Sequence, residues 1–319
     1  MNREFIPVLL LGILLLCSSW GFYAHQRINY LAVFTLHNGL NTFYKANIEY
    51  LSDHAVDADK RRYADSAEAS RHFIDIECYE QHIDSIPRKW NDAVQRYGMN
   101  KLQTNGLLPW QIQKSYYKLV RAFAERDSLK ILIYSAYLGH YVSDAHVPLH
   151  TTQNHNGQLT NQHGIHAFWE SRLPELFASQ YNFQVGKAIY INDPLKTAWK
   201  IVSHSHHLLD SVLAMELKVS LSTSARKKYS FSKRQQSLLR QYSLHYSRAY
   251  HQEMNHMVER QMRAAIHATG SFWYTAWIDA GQPDLKNMPK KNAASNPDKE
   301  IEAAPLPNEK GRIIGREPN

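Results

Sequence analysis

The stretch Leu129–His150, LKILIYSAYLGHYVSDAHVPLH, sets the reading of the whole chain. Apolar residues recur at helical spacing from Leu129 to about Val147, so this segment predicts a helix. Pro148 cannot continue it, because proline lacks an N–H and its ring clashes one turn back. The chain must turn there, and the turn re-aims His150. His140 and Asp144, four residues apart, share one face of the helix. Alone, a His–Asp pair at that spacing is common decoration of a helix surface. Here one helix end presents His140, Asp144 and His150 together, enough for two neighbouring ions.

The next element repeats the device. His163-Gly-Ile-His166-Ala-Phe-Trp-Glu170 opens a helix expected over about His163 to Tyr181. His166 and Glu170 are again four apart, surrounded by apolar Ile165, Phe168 and Trp169. A half-buried carboxylate and imidazole need each other or an ion. Two such pairs on two helices is how metal sites are built inside helix bundles. Composition agrees. The chain holds 18 histidines in 319 residues, about twice ordinary usage, and imidazole is the commonest metal ligand. Only two cysteines occur, Cys17 and Cys78, so a disulfide framework and a multi-cysteine zinc module are excluded.

Working outward, the body reads as all-α and as a single-domain, multi-helix bundle. Further helices are expected over His25 to about Leu51, Leu108 to about Arg126, and Pro194 to about Leu221. A long one is expected from about Ser232 to His267, striped by Leu238, Leu239, Tyr242, Tyr246, Tyr250 and Met254. The tyrosine stripe reads as core rather than a base-stacking platform. No alternating strand pattern persists. Polar loops are expected between Ser52 and Arg71 and between Thr151 and Gln162. With 44% hydrophobic and 21% charged residues, general disorder and a multi-span membrane protein are excluded.

The ends differ from the body. Residues 1–19 read as a signal peptide, with an apolar run from Phe5 to Leu16 followed by Cys17-Ser-Ser. That run is shorter than the roughly 20 residues needed to span a bilayer. Cleavage before Trp20 would make the protein secreted or periplasmic. Residues 279–319 carry six of the twelve prolines and equal numbers of acidic and basic residues, and disorder is expected there. The net charge of +8 therefore sits on the body, residues 20–278, which favours anionic partners.

Other candidate groups lie upstream. A freed Trp20 could chelate one ion through its amine and carbonyl, with His25 adding a ligand from the first helical turn. His72 precedes apolar Phe73 and Ile74 at the edge of the core, and the loop carrying Asp57 and Asp59 can fold back over it. Lys60-Arg61-Arg62, beside Asp57, is a candidate phosphate clamp. His155, in the polar loop beside the site, is a candidate substrate contact.

Taken in order, these phrases resemble the superfamily of zinc-dependent phospholipases C and single-strand-specific zinc nucleases. These are mostly helical, secreted phosphodiesterases with three zinc ions. Trp20 with His25 five residues on is similar to the nuclease branch. Asp57 and His72-Phe-Ile-Asp75, then His140, Asp144 and His150 with the proline two before the last, match the family's phrases. His166 and Glu170 complete them, the glutamate being similar to the phospholipase branch. The resemblance implies three Zn2+ sites: Asp57, His72, His140 and Asp144 for the first, and His150, His166 and Glu170 for the second. Trp20, His25 and the bridging Asp144 would hold the third. Asp53 and Asp59 are near enough to take the place of Asp57. Nitrogen and oxygen ligands without thiolate suit zinc. The implied activity is hydrolysis of a phosphodiester by metal-activated water, with Asp57 orienting or deprotonating that water. Single-stranded nucleic acid or nucleotides are the first expected substrate, and phospholipid head groups the second. A non-catalytic exported protein with structural metals is the third expectation. No obligate protein partner is evident.

Overall fold

The computed structural model describes residues 22–286 apart from Gln235 and Gln236, and it is all-α save for one hairpin. The longer elements are α1 (Phe22–Ala32), α2 (Trp90–Asn105, interrupted at Gly98), α3 (Leu108–Ala124), α4 (Ser128–Ala145) and α5 (Pro194–Ser222). They are followed by β1 (Tyr229–Arg234), β2 (Ser237–Tyr242), α6 (Leu244–Glu253) and α7 (Met257–Asp279). The helix ends follow local chemistry. Asp127 accepts from Lys130 N to cap α4, and Asp193 does the same from Lys196 N for α5, which begins on Pro194.

Helix α4 is the axis of the fold. Every residue from Ile131 to Ala145 is buried, so this helix is wrapped on all sides rather than amphipathic. Apolar side chains form two clusters. One is built on α3, on α4 up to Ala145 and on the C-terminal half of α7. The other gathers Val147 and Leu149, the Ile165–Tyr181 segment, α6 and the start of α7. Helix α1 feeds both, with Ala24 and Ile28 in the second and Ala32 in the first. The stretch His140–His150 thus runs along the seam between two cores.

Two glycines let backbones close on this seam. A Cβ on Gly139 would lie 2.0 Å from Asn29 Oδ1. Asn29 donates to Leu51 O at 3.2 Å and Ala136 O at 3.1 Å, tying α1 to α4 beside His140. Gly106 adopts a left-handed φ of +87°, and a Cβ there would meet Phe73 O at 2.1 Å. The α2–α3 junction can therefore lie against Ser70–Asp75, where Leu107 N donates to Ser70 O and Asp75 N to Asn105 O.

Several expectations need correction. The first expected helix is three pieces, α1, Leu40–Ala46 and Ile48–Asp53, broken where Gly39 takes a φ of +91°. The loop expected after Ser52 contains a short helix, Asp57–Arg61. The segment after His163 winds as Ile165–Ala167, a π-turn over Phe168–Arg172, and Leu173–Phe177. Helix α2 is additional. The long final helix is replaced by the antiparallel β1–β2 hairpin, α6 and α7. Ser243 Oγ caps α6 by accepting from Tyr246 N, and Asn255 and His256 break the chain with φ of 46° and 59°. Tyr242, Tyr246, Tyr250 and Met254 are nevertheless buried, so their role as core holds although the element differs. Among the described residues no helix is long and apolar enough to cross a membrane. The signal segment and residues 287–319 of the expected tail lie outside the described residues.

Candidate metal centre

The C-terminal end of α4 places His140 and Asp144 with 0% and 1% of their surface exposed. The chain then turns at Pro148, as its chemistry requires, and the Pro148–Thr151 turn aims His150 back at the same spot. From the other side comes the segment after Ala69–Arg71. Ile74 N donates to His150 O at 2.9 Å, and His150 Nδ1 donates to His72 O at 2.6 Å. This reciprocal pair clips two ligand-bearing backbones together. Helix α1 brings His25, whose ring stacks on that of His140 with centroids 4.2 Å apart.

The tautomers follow from the carbonyls. His140 Nδ1 gives its proton to Ala55 O at 2.8 Å, and His150 Nδ1 gives its proton to His72 O. A neutral ring so engaged must turn a lone pair inward from Nε2. Those lone pairs meet other acceptors. His140 Nε2 lies 2.9 Å from His72 Nδ1 and 3.3 Å from Asp144 Oδ2. His150 Nε2 lies 2.8 Å from His166 Nε2 and 3.3 Å from Glu170 Oε2, while His166 Nε2 is 2.9 Å from that same oxygen. Three groups of donor atoms result, each within 4.8 Å: Asp59, His72 and His140; His25, His140 and Asp144; and His150, His166 and Glu170.

Asp144 stands between these groups. Its Oδ2 faces His72 Nδ1 at 3.0 Å, and its Oδ1 faces His25 Nε2 at 3.5 Å. Burial works to raise its pKa, yet whenever a proton is taken up on these rings, the charges of His140 and His150 and hydrogen bonds from protonated His140 and from His72 hold it well below the usual carboxylate range. Burial likewise opposes ionisation of Glu170, but His150, His166 and His25 hold it low. Burial opposes charge on His25 too, and the Glu170 hydrogen bond with the charges of Asp144, Glu170 and Asp59 outweighs it, raising His25 to about 9. The pocket of imidazoles and carboxylates therefore favours positive charge at its centre. His25 Nδ1 is buried without a hydrogen-bond partner among the described residues. Nitrogen and oxygen donors, no thiolate and inward lone pairs fit zinc.

Of the residues expected here, the structure brings together His25, His72, His140, Asp144, His150, His166 and Glu170. Trp20 lies outside the described residues. Asp57 does not join them: its carboxylate accepts from His54 and from Lys60 Nζ, at 2.9 Å for the latter. Asp59 takes that place, with Oδ1 3.6 Å from His72 Nδ1 and 3.8 Å from His140 Nε2. On the short helix Asp57–Arg61 two residues span about 200°, so the two aspartates face opposite sides. Lys60 is held by Asp57, and Arg61 turns to Glu68 and Tyr141, so neither reaches the donor cluster. His155 stays beside it, its ring centroid 6.1 Å from that of His166. His146 is buried but gives Nδ1–H to Val142 O, and burial pushes its pKa to about 4, so it stays neutral.

Glu68 was not among the expected residues. It is fully buried, accepts from Arg61 Nη2 at 3.3 Å and from Arg71 and Tyr141, and lies 3.4 Å from His72 Nε2. It backs His72 from the side opposite the donor cluster, as outer-shell carboxylates back metal-binding histidines. Its place four residues before His72 repeats the spacing of the other two pairs.

A fold of this kind around such donors defines a class, the helical zinc hydrolases. The chain belongs to the zinc dependent phospholipase C family, whose model matches residues 24–233 and so spans every described donor from His25 to Glu170. That membership makes it a metal-dependent hydrolase of phosphodiester bonds. No curated protein matches the chain significantly.

Proposed function

We propose that this protein is a phospholipase C, which hydrolyses the phosphodiester that joins a phospholipid head group to its diacylglycerol. The family match carries this reading. It supports a phospholipid substrate and lends none to the nucleic acid expected first. In this reading Asp59, His72, His140 and Asp144 hold one Zn2+, and His150, His166 and Glu170 hold a second. His25 and Asp144, with the main-chain amine of Trp20 after removal of residues 1–19, hold a third. Zinc in such sites lowers the pKa of water and offsets the charge of a phosphodiester.

The chain's own residues do the rest. Asp144, with Oδ2 toward His72 and Oδ1 toward His25, keeps those two donor groups at a fixed separation. Ala55 O and His72 O hold His140 and His150 in the tautomer that offers Nε2. Glu68 keeps His72 oriented, and His155, its ring 6.1 Å from that of His166, would meet the head group. Export with cleavage before Trp20 belongs to the same proposal.

The test is an assay of purified, exported protein on phosphatidylcholine vesicles, single-stranded DNA and a 3′-nucleotide. Release of phosphocholine that is abolished by chelation and restored by Zn2+ is the expected result. Zinc-restored cleavage of DNA with intact phosphatidylcholine would overturn it. N-terminal sequencing of the same sample is expected to begin at Trp20.

A further inference from the structure

Beyond the metal centre, four cations converge on a second pocket for which the hydrolytic reaction has no use. The pocket is lined by Arg61, Arg71, Lys114 and Lys118 with tyrosines of α4. Tyr141 lines it and packs edge-on against His72 and His140, with centroids 5.5 and 5.6 Å away. The pocket therefore lies next to the metal centre, with that ring between them.

The charges do not balance. Glu68 accepts from both guanidiniums, and Asp65 Oδ2 lies 3.3 Å from Arg71 Nη1. Neither Lys114 nor Lys118 forms an ion pair among the described residues. Four positive charges against two negative leave an excess of two in a partly enclosed space. Lys114 and Lys118 are four apart on α3, so the helix holds them side by side in mutual repulsion. Burial and then the charges of Lys114, Arg71 and Arg61 pull Lys118 down to about 8. Arg61 stacks on Tyr137 with its Cζ 3.9 Å from the ring centroid, which fixes the guanidinium, and its buried Nη1 has no hydrogen-bond partner among the described residues. Lys118 Nζ lies 5.6 Å from the centroid of the Tyr134 ring and Lys114 is exposed, so two ammonium groups that no carboxylate neutralises among the described residues stand beside the paired guanidiniums, open to an anion.

We propose that this pocket binds a phosphate-type dianion, as inorganic phosphate or as a phosphomonoester. A doubly charged tetrahedral oxyanion matches the excess charge, and guanidinium and ammonium donors are the groups that recognise it. The inference does not rest on phospholipid hydrolysis, because none of the four cations is among the candidate zinc ligands.

The test compares the zinc-loaded full chain with Lys114→Ala/Lys118→Ala and Lys114→Arg/Lys118→Arg double variants. Calorimetric titration uses inorganic phosphate, glycerol 3-phosphate and short-chain phosphatidic acid, none of which carries the phosphodiester of the proposed reaction. Any phosphate held at the zinc ions is common to all three proteins. At least one probe is expected to bind ten times more weakly, or more, to the alanine variant and to recover in the arginine variant. The probe affected identifies the source as free phosphate, a soluble monoester or a lipid head group. Equal binding of all three probes to wild type and the alanine variant would overturn the proposal. Both lysines are solvent-accessible, so unchanged zinc content certifies the fold of the variants independently of hydrolysis.

Discussion

Two of the buried carboxylate clusters among the described residues are opposites. Around Glu216 every partner is a donor: Gln162 Nε2 at 2.7 Å, Lys228 Nζ at 3.0 Å and the Tyr246 hydroxyl at 2.5 Å. One negative charge meets one positive charge, and the site is closed. Around Asp144 and Glu170 the ion-pair partners are histidines alone, and two of the rings have already given their N–H to main-chain carbonyls. Acceptors face acceptors, and only protons or cations complete the arrangement. A buried carboxylate by itself therefore says little about function. The polarity of what surrounds it separates a structural tie from a metal centre.

The comparison breaks most easily at Asp144. Asp144→Asn is expected to remove more than one equivalent of zinc and to reduce hydrolysis beyond the roughly 10–100-fold typical of an outer-shell loss. Glu216→Gln is expected to leave zinc content unchanged. Metal analysis of both variants decides, and equal zinc in the two would erase the distinction.

Glu68 sharpens the comparison, since it is saturated by donors like Glu216 yet backs a candidate ligand. Glu68→Gln leaves Arg61 and Arg71 without their buried counter-ion and is expected to lower stability by about 3 kcal/mol in urea denaturation at pH 7. Burial works to raise Glu68, but His72, Arg61 and Arg71 hold it well below its usual 4.5. A depressed carboxyl stabilises the fold above its unfolded pKa. The gap between wild type and variant should thus stay constant from pH 7 to about 5 and close as pH falls below about 4.5. A gap independent of pH would show that Glu68 is not ionised in the fold.

The smallest effect discriminates between neighbours. Asp59→Asn is expected to weaken zinc binding, whereas Asp57→Asn should leave it intact and change stability by no more than about 0.5 kcal/mol, as surface substitutions do. Zinc titration of the two variants against a chromogenic chelator reads the difference. Weaker binding in Asp57→Asn alone would restore Asp57 as the ligand.

These contrasts also explain what the sequence could and could not convey. His140, Asp144 and His150 were readable because helical spacing and a proline stop act within a few residues. His166 and Glu170 were readable for the same reason, although Glu170 itself lies within a π-turn. The choice between Asp57 and Asp59 was not, since it depends on a one-turn helix within a stretch that looks like a polar loop. Glu68 repeated the four-residue spacing in front of His72, but only the fold shows that it is buried among Arg61, Arg71 and Tyr141. The hairpin was hidden because Tyr242, Tyr246 and Tyr250 keep helical spacing across the strand–helix boundary. The competing cue was the alternation Tyr229-Ser-Phe231-Ser in β1, too short to outweigh that stripe.

The reciprocal hydrogen bonds between Ile74 and His150, and between His150 and His72, have a thermodynamic consequence. They join two main-chain segments without help from any guest, on the flank of a helix enclosed along its length. The receptacle is therefore assembled before it is filled, unlike small zinc modules, whose polypeptide organises only around the metal. Stripping with a chelator should leave the scaffold standing and lower its melting temperature, with the stabilisation on reloading growing as the logarithm of one plus the ratio of free zinc to Kd, so that loading behaves as ordinary ligand binding rather than as folding.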